Sequence, residues 1–181
     1  EIIMKYFLIS LMLGSWLTLT ACSSAPVKDP DSYLYSVPVG SKLILNKEIT
    51  IPANLARRYF QNGRAVLKNE INIYYPHCSL LMNPLVNYER VIKPTVFEIY
   101  KVVDDEDYVQ LPVYLASRFL SNVDGSTIMA YASLYYLRST DDSDVRSLEC
   151  AQWDDPVNVE YLSINQVKKS LGGYFSLQIN D

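Results

Sequence analysis

The chain has 181 residues, with 16 Lys and Arg against 20 Asp and Glu, a formal net charge of −4 and 49% apolar residues. A mildly acidic chain offers no basic stripe to replace phosphate counterions, which argues against a nucleic-acid partner. One histidine and three cysteines also leave few of the three or four His or Cys ligands that a zinc centre needs.

At the amino terminus, Met4-Lys5 leads into an apolar run from Tyr6 to Leu17. A positive residue before an apolar segment shorter than the ~20 residues of a membrane-spanning helix is the layout of an export signal. Glu1, Ile2 and Ile3 precede the expected start at Met4. Leu19, Ala21 and Cys22, placed directly after the apolar run, resemble the lipobox of bacterial lipoproteins. The resemblance implies a diacylglycerol thioether on the Cys22 sulfur, cleavage before Cys22 and a further acyl chain on the freed amine. Several chains would anchor the protein stably in a bilayer, where one alone binds only marginally. Ser23 follows the cysteine, and in this class the absence of Asp there points to the periplasmic face of the outer membrane.

The expected organisation is a lipoprotein signal peptide over 1–21, a flexible tether over 22–32 and a single β-rich periplasmic domain over 33–181. Removing Glu1 and Lys5 with the signal leaves the −4 balance unchanged, so no electrostatic hold on anionic lipids is expected. Residues Ser23 to Ser32 contain Pro26 and Pro30 and no aromatic side chain; an extended tether of that length reaches up to ~30 Å at about 3.1 Å per residue.

Period-two alternation then dominates, the mark of half-buried strands. Leu43, Leu45, Ile49 and Ile51 predict strand within Lys42 to Ile51, ended by Pro52. Asn62-Gly63 predicts a hairpin within Ala56 to Val66, because both residues accept positive φ. Ile71, Ile73 and Tyr75 alternate again. Val96 to Val103 and Ile128 to Leu137 are rich in the β-branched and aromatic residues that suit a sheet, and Val145 to Ala151 should pair back across the acidic turn Thr140 to Asp144. Val113 to Leu120 fits a strand or a short helix equally well. Ser163 and Gln166 form a capping box, flanked by Leu162 and Val167 as a staple, with Lys168 and Lys169 at the carboxyl end and Gly172 as the stop. A helix over Ile164 to Leu171 and a last strand over Tyr174 to Ile179 follow. The fold class is mainly β: a small antiparallel β-sandwich or barrel-like domain with one short C-terminal helix.

With Cys22 acylated, Cys78 and Cys150 are an even pair in an oxidising compartment, and one disulfide is the simplest outcome; two buried thiols, or a reactive redox pair that the lack of Cys-x-x-Cys spacing disfavours, are the alternatives. His77, the only histidine, adjoins Cys78, yet consecutive strand residues point to opposite faces and would not meet, so a turn or edge histidine is expected. Asp104-Asp105-Glu106-Asp107 and Asp141-Asp142-Ser143-Asp144 lack the Gly and distant Glu of an EF-hand loop and read as solvated turns. Tyr74-Tyr75 and Tyr135-Tyr136 should place one ring on each face of a sheet. No Gly-x-Ser-x-Gly elbow, P-loop or dinucleotide fingerprint is present, so no catalytic residue, cofactor or metal is assigned.

Val39-Gly40-Ser41-Lys42-Leu43, Tyr75-Pro76-His77-Cys78 and Val167-Lys168-Lys169-Ser170-Leu171-Gly172 resemble a group of uncharacterised gammaproteobacterial lipoproteins, a likeness that brings no activity or substrate. The expected function is a non-enzymatic envelope module, lipid-anchored and docking on an envelope protein. A periplasmic hydrolase or small-ligand binder, using a Tyr- or carboxylate-lined pocket, is the alternative.

Overall fold

Hydrophobic alternation becomes a strongly curved sheet. The computed structural model describes residues 27–110, 127–141 and 144–180; Cys22, the signal segment and Val113 to Leu120 lie outside them. The described strands are β1 (Lys42–Leu45), β2 (Ile49–Ile51), β3 (Arg57–Gln61), β4 (Arg64–Val66), β5 (His77–Met82), β6 (Arg90–Ile92), β7 (Val96–Gln110), β8 (Thr127–Arg138), β9 (Val145–Asp154) and β10 (Phe175–Gln178), with helix α1 (Ile164–Leu171) before β10. Eight strands form one antiparallel sheet in the order β10-β1-β7-β8-β9-β5-β3-β4. The remaining two, β2 and β6, pair as an antiparallel ribbon.

The sheet curls into a half-barrel around α1, so the barrel-like alternative is the one adopted. Phe60 of β3 meets the ring of Phe175 at the start of β10 at 5.4 Å and that of Tyr174 at 5.6 Å, although β10 opens the strand order and β3 is the last strand but one. The Gly63 amide, in the β3–β4 turn, donates to the Ser170 carbonyl at 3.0 Å. Gly172 closes the helix at φ 55° and ψ −139°, a combination open essentially to glycine. A Cβ at Gly172 would also run into the Gly63 backbone, so the sheet edge and the helix end touch through two glycines.

α1 forms where its local signals place it. The Ser163 hydroxyl accepts from the Gln166 amide at 3.3 Å, and the Gln166 side chain accepts from the Ser163 amide at 2.9 Å. Ile164, Val167 and Leu171 recur on one buried face, the i, i+3, i+7 stripe of a helix laid on a core. They pack with Leu43, Phe60, Leu80, Phe97, Ile99 and Leu148 from the concave face of the sheet.

Several expectations are corrected. The stretch expected to alternate from Lys42 to Ile51 breaks at Asn46 to Glu48 and contributes to two separate sheets. Ile71 to Tyr75 is no strand: the Gln61 side chain donates to the Asn72 carbonyl at 2.8 Å and accepts from the Asn72 amide at 3.0 Å, occupying backbone groups that a ladder would need. Tyr74 and Tyr75 are consequently both exposed in a turn, whereas Tyr135 points into the core and Tyr136 to the outer face. Asp104 to Asp107 is not a turn but lies within β7. The last residues assigned to the tether are folded, since the Asn165 amide donates to the Pro30 carbonyl at 3.1 Å and its side chain donates to Asp31 Oδ1 at 2.7 Å.

Candidate functional site

The two faces of the sheet carry different chemistry, because alternation sends neighbouring residues apart. Cys78 and Cys150 sit directly opposite each other on β5 and β9 and form a disulfide that joins the two strands across 72 residues of sequence. Both sulfurs face the core beside Phe60 and Leu80. His77 and Ser79 therefore point to the convex face, as expected for neighbours of Cys78, but His77 is not the turn or edge residue expected: it opens β5, an interior strand between β3 and β9, and is buried.

On that face a polar network crosses three strands. Arg57 Nη1 donates to Glu149 Oε2 at 2.8 Å and to Ser79 Oγ at 3.2 Å. Tyr59, in the same row, has its phenol pushed up by burial, with Arg57 opposing and Glu149 adding to that rise. His77 is 8% exposed and its Nδ1 shares a hydrogen bond of 3.0 Å with the Tyr75 carbonyl. Burial pushes His77 below its ordinary 6.5, against the Tyr75 carbonyl and the Glu149 charge, which pull it back up. Sequence reading singled out His77 but missed Arg57, Tyr59, Ser79 and Glu149. Arg57 and Glu149 are 92 residues apart, and only the β3–β5–β9 register brings them together.

A proton linkage follows. Because the folded state holds His77 below 6.5, the unfolded chain takes up the proton first as the pH falls, so stability drops from about pH 6.5 downward until the folded form also protonates. Urea midpoints measured near pH 7.5 and near pH 5.5 should show a smaller acid-induced loss in His77→Gln than in the parent chain. An identical loss in both would remove His77 from the linkage.

The concave face continues past the core into a cleft of about 180 Å³, lined among others by Tyr33, Tyr35, Asp104, Ser133, Tyr135 and Tyr161. β7 and β8 place Asp104 opposite Ser133, whose hydroxyl donates to Asp104 Oδ1 at 3.0 Å. Burial pushes the Tyr135 phenol up to about 12, with a hydrogen bond to Ser133 lowering it and Asp104 raising it. Tyr161 is also pushed up, by burial first and then by the charges of Asp104 and Glu106. Its ring lies 4.9 Å from that of Tyr131. The cleft is thus aromatic in its walls and negative in its field, which favours a cationic group. The first acidic run supplies Asp104 to it, while Asp141 and Asp144 of the second run lie in the β8–β9 turn, where Thr95 Oγ1 donates to Asp141 Oδ2 at 3.0 Å and the buried Arg90 lies 3.7 Å from Asp144 Oδ2. His77 and the Asp104 cleft occupy opposite faces of the sheet and do not converge. Among the described residues no group of three or more His, Cys, Asp or Glu is placed to hold a metal ion, and no helix is long and apolar enough to cross a membrane.

No protein-family model, curated protein or solved structure matches the chain.

Proposed function

We propose that the mature chain, beginning at an acylated Cys22, is a periplasmic domain held on the outer membrane that docks on another envelope protein and catalyses no reaction. The observation that supports it best is the seating of Pro30 and Asp31 on Asn165. It fixes where the tether leaves the domain: at the amino end of α1, next to Tyr161, Leu162 and the aromatic cleft that Tyr33 to Ser36 help to line. From Cys22 to Pro30 are eight steps of chain, which at about 3.1 Å each reach roughly 25 Å. A partner engaged at this end must itself be at, or close to, the membrane surface. The Cys78–Cys150 disulfide is consistent with this address, since such bonds persist in oxidising compartments.

Small-ligand binding is the weaker reading on the chemistry of the hollows. Pockets that enclose whole small molecules run from about 300 to 1,000 Å³ with a few convergent polar groups; the Asp104 cleft is about 180 Å³, the scale of one side chain, and the neighbouring hollow of about 380 Å³, lined by Val27, Lys28, Leu34, Tyr35, Pro38 and Asn180, brings no catalytic carboxylate or histidine together. A hydrolase is disfavoured by position: Arg57 and Glu149 are already paired, and His77 lies on the other face from the cleft.

Growth with labelled palmitate tests the anchor. The parent protein should take up label and stay with membranes after osmotic shock, and Cys22→Ser should take up none and be released. A parent protein without label would overturn the anchored reading.

A further inference from the structure

We propose that the outer edge of β7, from Val102 to Tyr108, receives a basic, extended polypeptide as an added strand, with one lysine or arginine of the guest entering the tyrosine-lined cleft; this deepens, and for its cellular setting rests on, the anchored-docking reading. β1 covers only the beginning of β7, over Val96 to Glu98. The last backbone bonds on that side join Gly40 and Ser41 to Ile99 at 2.8 and 2.9 Å. β7 nevertheless continues to Gln110, paired to β8 on its other side throughout. Among the described residues, no backbone group pairs with the outer edge beyond Ile99. An unpaired strand edge presents a row of amides and carbonyls, and an extended chain can satisfy them.

The orientation of those amides is fixed by the irregularity between Ile99 and Lys101. After it, the Glu106 and Tyr108 amides turn outward, where the side chains of Asp105 and Asp107 accept from them at 3.0 and 2.9 Å. An arriving strand would take those amides and release both carboxylates to face its own side chains.

Charge selects the occupant. Asp104, Asp105, Glu106 and Asp107 are all exposed, and among the described residues none has a basic partner. A second copy of the chain would set four carboxylates against four across about 4.8 Å of sheet spacing, and like charges placed opposite each other destabilise a ladder. A guest carrying lysine or arginine on alternate positions reverses that sign. Alternation sends Asp104 and Glu106 toward the cleft and Asp105 and Asp107 to the convex face, so cations on either side of the guest meet a carboxylate. Within the cleft, the Tyr161 ring and Asp104 offer a π face and a counter-charge to the same cation.

The test uses the full acylated chain in detergent micelles and a short alternating lysine–valine peptide, read by residue-resolved amide hydrogen exchange. The expected result is exchange at Glu106 and Tyr108 slowed roughly ten-fold or more. That slowing should vanish in Asp105→Lys with Asp107→Lys, and should not occur with a glutamate–valine peptide. Protection that is absent from these amides, or that is equal with the glutamate peptide, overturns the assignment. Photo-crosslinking in intact cells separates this from the anchored-docking reading: adducts from a probe at Val157, an exposed residue in the segment that leads from β9 to the amino end of α1, with none at Tyr108 overturn the β7 edge alone, and adducts from neither position overturn both.

Discussion

Replacing Cys78 and Cys150 together by alanine is expected to lower the unfolding free energy by about 4 kcal/mol, the loop-closure value for a cross-link spanning some 72 residues. The sequence separation is what makes the bond strong: 72 positions of unfolded chain regain their freedom when it is absent. The effect should therefore show in the denatured state. Guanidinium titrations should give a lower midpoint together with a steeper slope, since the untied unfolded chain exposes more surface. Alanine is the better replacement than serine, because both sulfurs are fully buried and a buried hydroxyl without a partner costs a further ~1–3 kcal/mol. A loss below about 1 kcal/mol would show that register alone holds β5 against β9. For a domain of this size, total stability is about 5–15 kcal/mol, so the double variant remains foldable while becoming sensitive to mild denaturant.

How much of this was legible beforehand depended on the range of the signal. α1 begins and ends where Ser163, Gln166 and Gly172 place it, because capping and a left-handed stop act within a few residues. The β3–β4 hairpin is equally local: Asn62 and Gly63 carry φ of 51° and 75°. Alternation at Ile71, Ile73 and Tyr75 failed for a non-local reason, the capture of Asn72 by the Gln61 side chain. Asp104 to Asp107 looked like a solvated turn because charge usually marks a loop, yet the pairing of Asp104, Asp105, Glu106 and Asp107 with Ser133, Ala132, Tyr131 and Ala130 holds them in a strand. Being at an edge is what makes such charges tolerable there. The β5 strand went unread because His77 to Met82 is buried on both faces and so shows no polar alternation. The same limit hid the Arg57–Glu149 pair and the Asp104 cleft, both of which depend on register between strands that are distant in sequence.

The interior also explains why the curl closes where it does, and this sets the second large effect. Phe60→Ala should cost about 3–5 kcal/mol, the range for removing a fully buried aromatic ring. Phe60 is 0% exposed and is the residue of β3 whose ring touches both Tyr174 and Phe175. Its loss opens a cavity between the β3–β4 end of the sheet and β10, a seam that the Gly63 to Ser170 hydrogen bond and the close approach of Gly63 to Gly172 also hold. Neither can tighten to fill the void, because Gly172 is already in contact with the Gly63 backbone. The cost should therefore fall near the upper part of that range, whereas Phe60→Leu, which keeps most of the volume, should cost less. Amide exchange offers the sharper check: in Phe60→Ala, protection should fall first at Gly63 and along β10, before β7 and β8 respond, because the seam opens locally ahead of global unfolding. Uniform loss of protection across all strands would mean that the seam contributes nothing separate from the rest of the core.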